Sequence, residues 1–200
     1  MAQNQYFEDN RSLPSNRKEH SFRFSGDIYT FITDTGVFSK SGVDYGTELL
    51  LKSAVRQDLH GRILDLGCGY GVVGIVLKHT FPDCAVTAGD VNPRALELTA
   101  ENAVRNRCPV EIVESNGFEH ISTMFDAVVT NPPIRVGKKV LYPLLEAAHD
   151  HLNPGGIFLA VIRRQQGAES AAAKLMEIYG NCEVIDRSKG YWILRCTRTN

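Results

Sequence analysis

From Gly61 onward, short apolar runs rich in β-formers alternate with stretches whose apolar residues recur at helical spacing. That alternation predicts strand-helix-strand units around a mostly parallel sheet. Strands are expected over 62–68, 84–91, 110–115, 125–130, 157–163, 183–187 and 191–197. A helix follows the second strand: Asn92 stands where a cap belongs, Pro93 at the first helical position, and Leu96, Thr99, Ala100 and Ala103 form its inward stripe. Another carries Leu141, Leu144, Leu145, Ala148 and Leu152, and is expected to begin near Leu141 because of Pro143. A third places Ala168, Ala171, Ala172, Leu175, Met176 and Tyr179 on one face, with Gly180 past its end. Only Ser188-Lys-Gly190 separates the last two strands, too little for a crossover helix, so they form an antiparallel hairpin. The expected fold is therefore α/β, a Rossmann-like, seven-stranded, mostly parallel sheet with an antiparallel last strand and helices on both faces.

Upstream, 47–59 reads as a helix with Leu51, Ala54, Val55 and Leu59 inward. Residues 22–39 read as a hairpin around Gly26-Asp27 that, with this helix, covers the cleft. Residues 1–20 are polar and expected to be mobile, and 21–200 to form one domain. That length suits a single core of ordinary size.

Charge narrows the choices. Lys plus Arg (22) against Asp plus Glu (23) leaves a net charge of −1, so polyanion binding must come from a local patch. No apolar run reaches the roughly 18 residues of a membrane helix, and the first residues lack the basic start and apolar stretch of a secretory signal. A cytoplasmic protein without membrane contact is expected. The five cysteines are scattered, without a Cys-x-x-Cys pair, which argues for reduced thiols over disulfides or zinc. His149 and His151 lie two apart on a helix and face different ways, so no metal site is expected.

The first strand runs into Asp65-Leu-Gly67-Cys-Gly69-Tyr-Gly71, a tight glycine turn opening a helix. Such a turn lets a ligand approach bare backbone. Dinucleotide folds place glycines similarly but spaced G-x-G-x-x-G, and Asp65 would repel a pyrophosphate while attracting an ammonium or sulfonium. S-adenosylmethionine carries both cations. Asp90 ends the second strand nineteen residues after Gly71, the separation at which a carboxylate reaches ribose hydroxyls. Asn116, ending the third, is placed to hydrogen-bond an adenine. Asp65, Gly67, Gly69, Asp90 and Asn116 thus form one candidate nucleoside site.

The fourth strand ends in Asn131-Pro132-Pro133-Ile134. Asn131 and Pro132 each precede a proline and are held extended, which aims the Asn131 side chain and the Pro132 carbonyl. Beside a methyl sulfonium, these two acceptors would hold both hydrogens of an exocyclic amine and turn its lone pair toward the methyl carbon. Asn131 would also border the cofactor.

These motifs are similar to those of the class I S-adenosylmethionine-dependent methyltransferases, and more closely to the RsmC-like small-subunit ribosomal RNA guanine-N2 methyltransferases. The narrower likeness rests on Thr33-Asp-Thr-Gly-Val-Phe-Ser39, Val43-Asp44, Leu49-Leu50, Leu64-Asp-Leu-Gly-Cys-Gly-Tyr-Gly71, Asp90, Glu114-Ser-Asn-Gly-Phe118 and Asn131-Pro-Pro-Ile-Arg-Val-Gly-Lys138. The resemblance implies S-adenosylmethionine as cofactor and ribosomal RNA or the small ribosomal subunit as partner. Asn131 and Pro132 would be catalytic, and Phe38, Pro133, Ile134, Arg135 and Lys138 would bind substrate. Ile134 departs from the aromatic that many amino-directed members carry there, so base stacking is expected from Phe38. Larger members have a second, degenerate half, and docking here is expected to use a homodimer or the ribosomal surface. Seven cations, Arg135, Lys138, Lys139, Arg163, Arg164, Arg187 and Lys189, follow the strands' carboxyl ends and form a candidate RNA patch. Two other readings compete: a protein glutamine methyltransferase acting on a release factor, and a non-catalytic assembly factor that keeps the nucleoside pocket.

Overall fold

The computed structural model describes residues 14–133 and 137–199. Its first elements are β1 (Lys18–Phe24) and β2 (Asp27–Thr33), an antiparallel pair with Phe24 opposite Asp27. The turn is Ser25-Gly26, one residue earlier than expected. Both residues have positive φ (51° and 95°), the mirror-image turn whose twist matches paired strands. β1 starts at Lys18, within the stretch expected to be mobile. Helix α1 (Tyr45–Ala54) begins two residues before the predicted start because the Asp44 carboxylate caps it, accepting from the Gly46 and Thr47 amides.

The main sheet comprises β3 (Arg62–Leu66), β4 (Ala85–Asp90), β5 (Glu111–Glu114), β6 (Phe125–Thr130), β7 (Leu152–Arg163), β8 (Glu183–Ser188) and β9 (Tyr191–Thr197), ordered β5-β4-β3-β6-β7-β9-β8. Helices α2 (Val72–Thr80), α3 (Pro93–Arg105), α4 (Lys138–Asp150) and α5 (Ala168–Tyr179) lie between strands in sequence. β3 through β7 run parallel, while β9 inserts between β7 and β8 and is antiparallel to both. The expected seven-stranded sheet is present.

Alternate residues supply two cores, as the two-residue strand period requires. Ile63, Ala127, Val129 and Ile193 pack with α1, α2 and α3, whereas Leu64, Val128, Phe158 and Leu194 pack with α4 and α5. Helices therefore cover both faces.

Three elements depart from the sequence expectation. α4 starts at Lys138 rather than near Leu141 and keeps Pro143 inside. Its opening turn is exposed, so the Lys139 carbonyl left without an amide donor faces water. β7 begins at Leu152, with a register shift as Asn153-Pro-Gly-Gly156 bulges toward Arg198. On α3, Ala100 is exposed and Asn102 is fully buried. Asn102 accepts from the Ile32 amide (2.7 Å) and donates to the carbonyls of Ile32 (3.0 Å) and Tyr70 (2.9 Å). One side chain thus ties the hairpin to the glycine turn.

Candidate functional site

Chain order reverses on either side of β3, and clefts in such sheets open at this switch point, outside the carboxyl ends of the strands. Here that place is a cavity of about 570 Å³. The carboxyl ends of β3 through β7 contribute to it with Tyr191 at the start of β9, and the segment after the hairpin closes one side.

The glycine turn is clasped to the next strand: the Gly67 and Cys68 amides donate to the Gly89 carbonyl at 2.8 and 3.0 Å. Gly67 and Gly69 have φ of 72° and 56°, and a Cβ on either would point into open space. Their backbone conformation favours glycine, and the space beside them is free for a ligand. Gly71 differs, since a Cβ there would meet Thr99 Cγ2 at 2.8 Å.

Asp65 is 1% exposed and accepts from the Gly74 amide at 2.7 Å. Burial pushes its carboxyl up from an ordinary 3.8 to about 7, the Gly74 bond opposing and nearby Asp90 adding to the rise. Asp90 accepts from the amides of Gly69 (2.8 Å) and Asn92 (2.9 Å), and burial raises its carboxyl too, against those bonds. Asn116 stands at the rim, its amide nitrogen donating to Glu119 Oε1 at 2.9 Å. All five residues predicted to form the nucleoside site line this one cavity.

Asn131, Pro132 and Pro133 border the same space after β6. Phe38 is half-exposed at its edge. Lys138 opens α4 with Nζ 5.9 Å over the Tyr142 ring and does not line the cavity, although Val140 and Leu144 of the same helix do. Ile134 and Arg135 lie outside the described residues.

The cationic patch divides. Arg163 lines the cavity and sits 4.9 Å over the Tyr191 ring, with Lys189 4.3 Å over Tyr45 beside it. Arg187 stacks on Trp192 at 4.4 Å, and neighbours on a strand point to opposite faces, so it leaves the group at Tyr191. An adjoining hollow of about 490 Å³ shares Arg163 and is lined by Arg164 and Lys189 as well. Sequence reasoning missed two site residues. Thr47, 8% exposed, receives a hydrogen bond from the Asn131 side-chain amide at 3.1 Å, and Asp44 in turn receives the Thr47 hydroxyl at 2.5 Å. The Asp-x-x-Thr spacing before an apolar helix was the available signal.

A family model described as the methyltransferase small domain matches residues 28–195. The chain belongs to the methyltransferase small domain family. It is 40% identical over 196 residues to an uncharacterized protein of Bacillus subtilis (strain 168), YbxB, covering 98% of it. It is also 37% identical over 125 residues to the ribosomal RNA small subunit methyltransferase C of Pasteurella multocida, matching 60% of this chain but only 38% of that protein. Among solved structures, the T. thermophilus 16S rRNA N2 G1207 methyltransferase RsmC, in complex with AdoMet and guanosine, superposes with a TM-score of 0.83 at 25% identity. That match covers 96% of this chain and 53% of the other. The fold is the class I methyltransferase fold, and within it this methyltransferase small domain is of the RsmC-like kind.

S-adenosylmethionine is the cofactor of that class, and the cavity fits it. The buried Asp65 and the half-buried Asp90 suit a cationic ligand and a ribose, and the glycine turn has room where a side chain would otherwise stand. If Asp65 meets the ligand's cations, affinity rises as pH climbs toward and past about 7 and then levels, because only the ionised carboxylate attracts them. The free chain behaves oppositely: the folded state holds a proton that the unfolded state releases near 3.8, so stability falls with rising pH until about 7. Calorimetric titration between about pH 5.5 and 7.5, where the ligand's own amine stays mostly protonated, should show this rise. Asp65→Asn should bind weakly with a shallower pH dependence, and a variant matching wild type in both respects would contradict the assignment.

Proposed function

We propose that this chain methylates the exocyclic N2 amine of a guanine in small-subunit ribosomal RNA, using S-adenosylmethionine. The observation that carries the reading is the placement of Asn131 and Pro132 on the cavity that also holds the carboxylates Asp65 and Asp90 and the glycine turn. The resemblance to the RsmC proteins supplies the substrate class; the chain spans about two fifths of the curated RsmC relative and about half of the solved one.

Bound there, the cofactor offers a methyl carbon made electrophilic by its sulfonium. Asp65 would hold the cationic end, Asp90 the ribose hydroxyls and Asn116 the adenine. Asn131 Oδ1 and the Pro132 carbonyl accept the two amine hydrogens, which leaves the nitrogen lone pair aimed at the methyl carbon. When bound, S-adenosylmethionine would supply the methyl group to that nitrogen, its sulfur keeping the electrons of the broken carbon-sulfur bond. The methylated nitrogen is then positively charged and acidic, and it gives its proton to water. No strong general base is needed, and positioning with electrostatics carries the rate. Phe38 at the edge offers a ring to the base.

Arg163, Arg164 and Lys189 line the hollow next to the cavity together with Glu169, which accepts from Arg164 Nε at 3.1 Å, and the excess of positive charge fits the phosphates of a nucleotide turned out of its stack. Reversing Arg164 and Lys189 to Glu together should weaken RNA binding about tenfold or more and flatten its salt dependence, while S-adenosylmethionine affinity stays within about twofold. Equal loss of both would contradict an RNA role for this hollow. The function itself is tested by radiolabelled methyl transfer to purified small subunits, free ribosomal RNA and release factors in parallel, with nucleoside mass analysis of the product. N2-methylguanine in RNA is the expected result, and label in protein alone would overturn the substrate.

A further inference from the structure

The Asn131 side chain can present either its oxygen or its nitrogen to the cavity, and only the oxygen can accept an amine hydrogen. Its amide nitrogen donates to Thr47 Oγ1 at 3.1 Å. Thr47 has one hydroxyl proton, and the Asp44 carboxylate 2.5 Å away, an acceptor only when ionised, takes it. Toward Asn131 the hydroxyl is therefore left as an acceptor, which selects the nitrogen of Asn131 and turns the oxygen the other way. We infer that Asp44 and Thr47 are positioning residues that fix which end of the Asn131 amide faces the target amine.

The local sequence is built for this. Asp44 is anchored as the cap of α1: Oδ1 accepts from the Gly46 and Thr47 amides at 2.9 and 3.2 Å, so Oδ2 is held toward the Thr47 hydroxyl. A Cβ on Gly46 would lie 3.0 Å from Asp44 Oδ1 and 2.8 Å from the Tyr191 ring, so glycine there lets the carboxylate and the cavity wall approach. Thr47 is buried, which shields the hydroxyl from competing water. An ordinary cap needs only the Asp44 bonds to the backbone. The bond from Asn131, 84 residues away, is additional.

The role of the relay in catalysis rests on Asn131 gripping the substrate amine, as proposed above; the proton arrangement does not. Asp44→Asn should keep the cap, because asparagine is as good a cap as aspartate. Its new amide would, however, donate to Thr47 Oγ1, turn the hydroxyl proton toward Asn131 and reverse the Asn131 amide. kcat should fall about 10–100-fold, with little change in S-adenosylmethionine affinity or melting temperature. Thr47→Val should behave alike, and Thr47→Ser should restore most of the loss. Loss of activity only in proportion to lost stability would overturn the inference. Neutron diffraction on the wild-type crystal decides it without any substrate. Deuterium on Thr47 Oγ1 directed at Asp44, with Asn131 Nδ2 toward Thr47, is expected. The reverse arrangement would refute the relay, even for a chain that methylates ribosomal RNA, and a chain that methylates no RNA could still show the relay intact.

Discussion

Asn131→Ala is expected to lower turnover about 10²–10³-fold, the usual loss for one aligned hydrogen bond at the reacting centre. The loss falls on kcat, because the second acceptor, the Pro132 carbonyl, cannot by itself hold both amine hydrogens. The charged groups proposed to grip the donor, Asp65 and Asp90, sit at the ends of other strands, so S-adenosylmethionine affinity should change little. Single-turnover methyl transfer together with calorimetry on the same preparation separates the two quantities. An unaltered rate would remove Asn131 from the mechanism, whereas equal losses in rate and donor affinity would make it a cofactor residue only.

The largest stability effect is expected far from the reacting atoms. Asn102→Ala leaves the amide and carbonyl of Ile32 and the carbonyl of Tyr70 without the partner they have in the interior. At about 1–3 kcal/mol for each buried group stranded, less what water entering the gap recovers, the variant loses about 3–5 kcal/mol. For a single-domain protein that is a large share of total stability. Urea unfolding followed by circular dichroism measures it. A loss below about 1 kcal/mol would mean that the hairpin is not held through this residue. The hairpin leads into Val37 and Phe38 on the cavity wall, so the surviving fold should also bind substrate less well.

The contrast between Ala100 and Asn102 shows what the sequence could and could not reveal. Helical periodicity placed α3 correctly, but an asparagine on a helix reads as a solvent-facing residue, and its partners are backbone atoms up to 70 residues away that no local pattern connects. Ala100 reads as apolar and so was assigned inward, yet it is exposed. The glycine turn was legible because Gly67, Gly69 and Gly71 need positive φ at fixed spacing after a strand. The carboxylates were legible because strand ends converge on one edge. The hairpin of β8 and β9 followed from a three-residue connection, but insertion of β9 beside β7 depends on pairing across the sheet. That pairing brings Tyr191 opposite Arg163 at the cavity. Thr47 was visible only as the predicted start of a helix, and Asp44 only within the Val43-Asp44 pair of the family resemblance. Their link to Asn131 arises from packing α1 over the carboxyl edge, a tertiary event that capping rules do not encode.

The proposed reaction requires a guanine amine held between Asn131 Oδ1 and the Pro132 carbonyl, with its nitrogen facing the methyl donor. The most direct measurement is a crystal structure of the chain with S-adenosylhomocysteine and guanosine. The predicted result places the exocyclic nitrogen within about 3.2 Å of both oxygens, on the side toward the sulfur. A base bound with its amine turned away from Asn131, while the nucleoside of the cofactor product fills the cavity between Asp65 and Asp90, would contradict it.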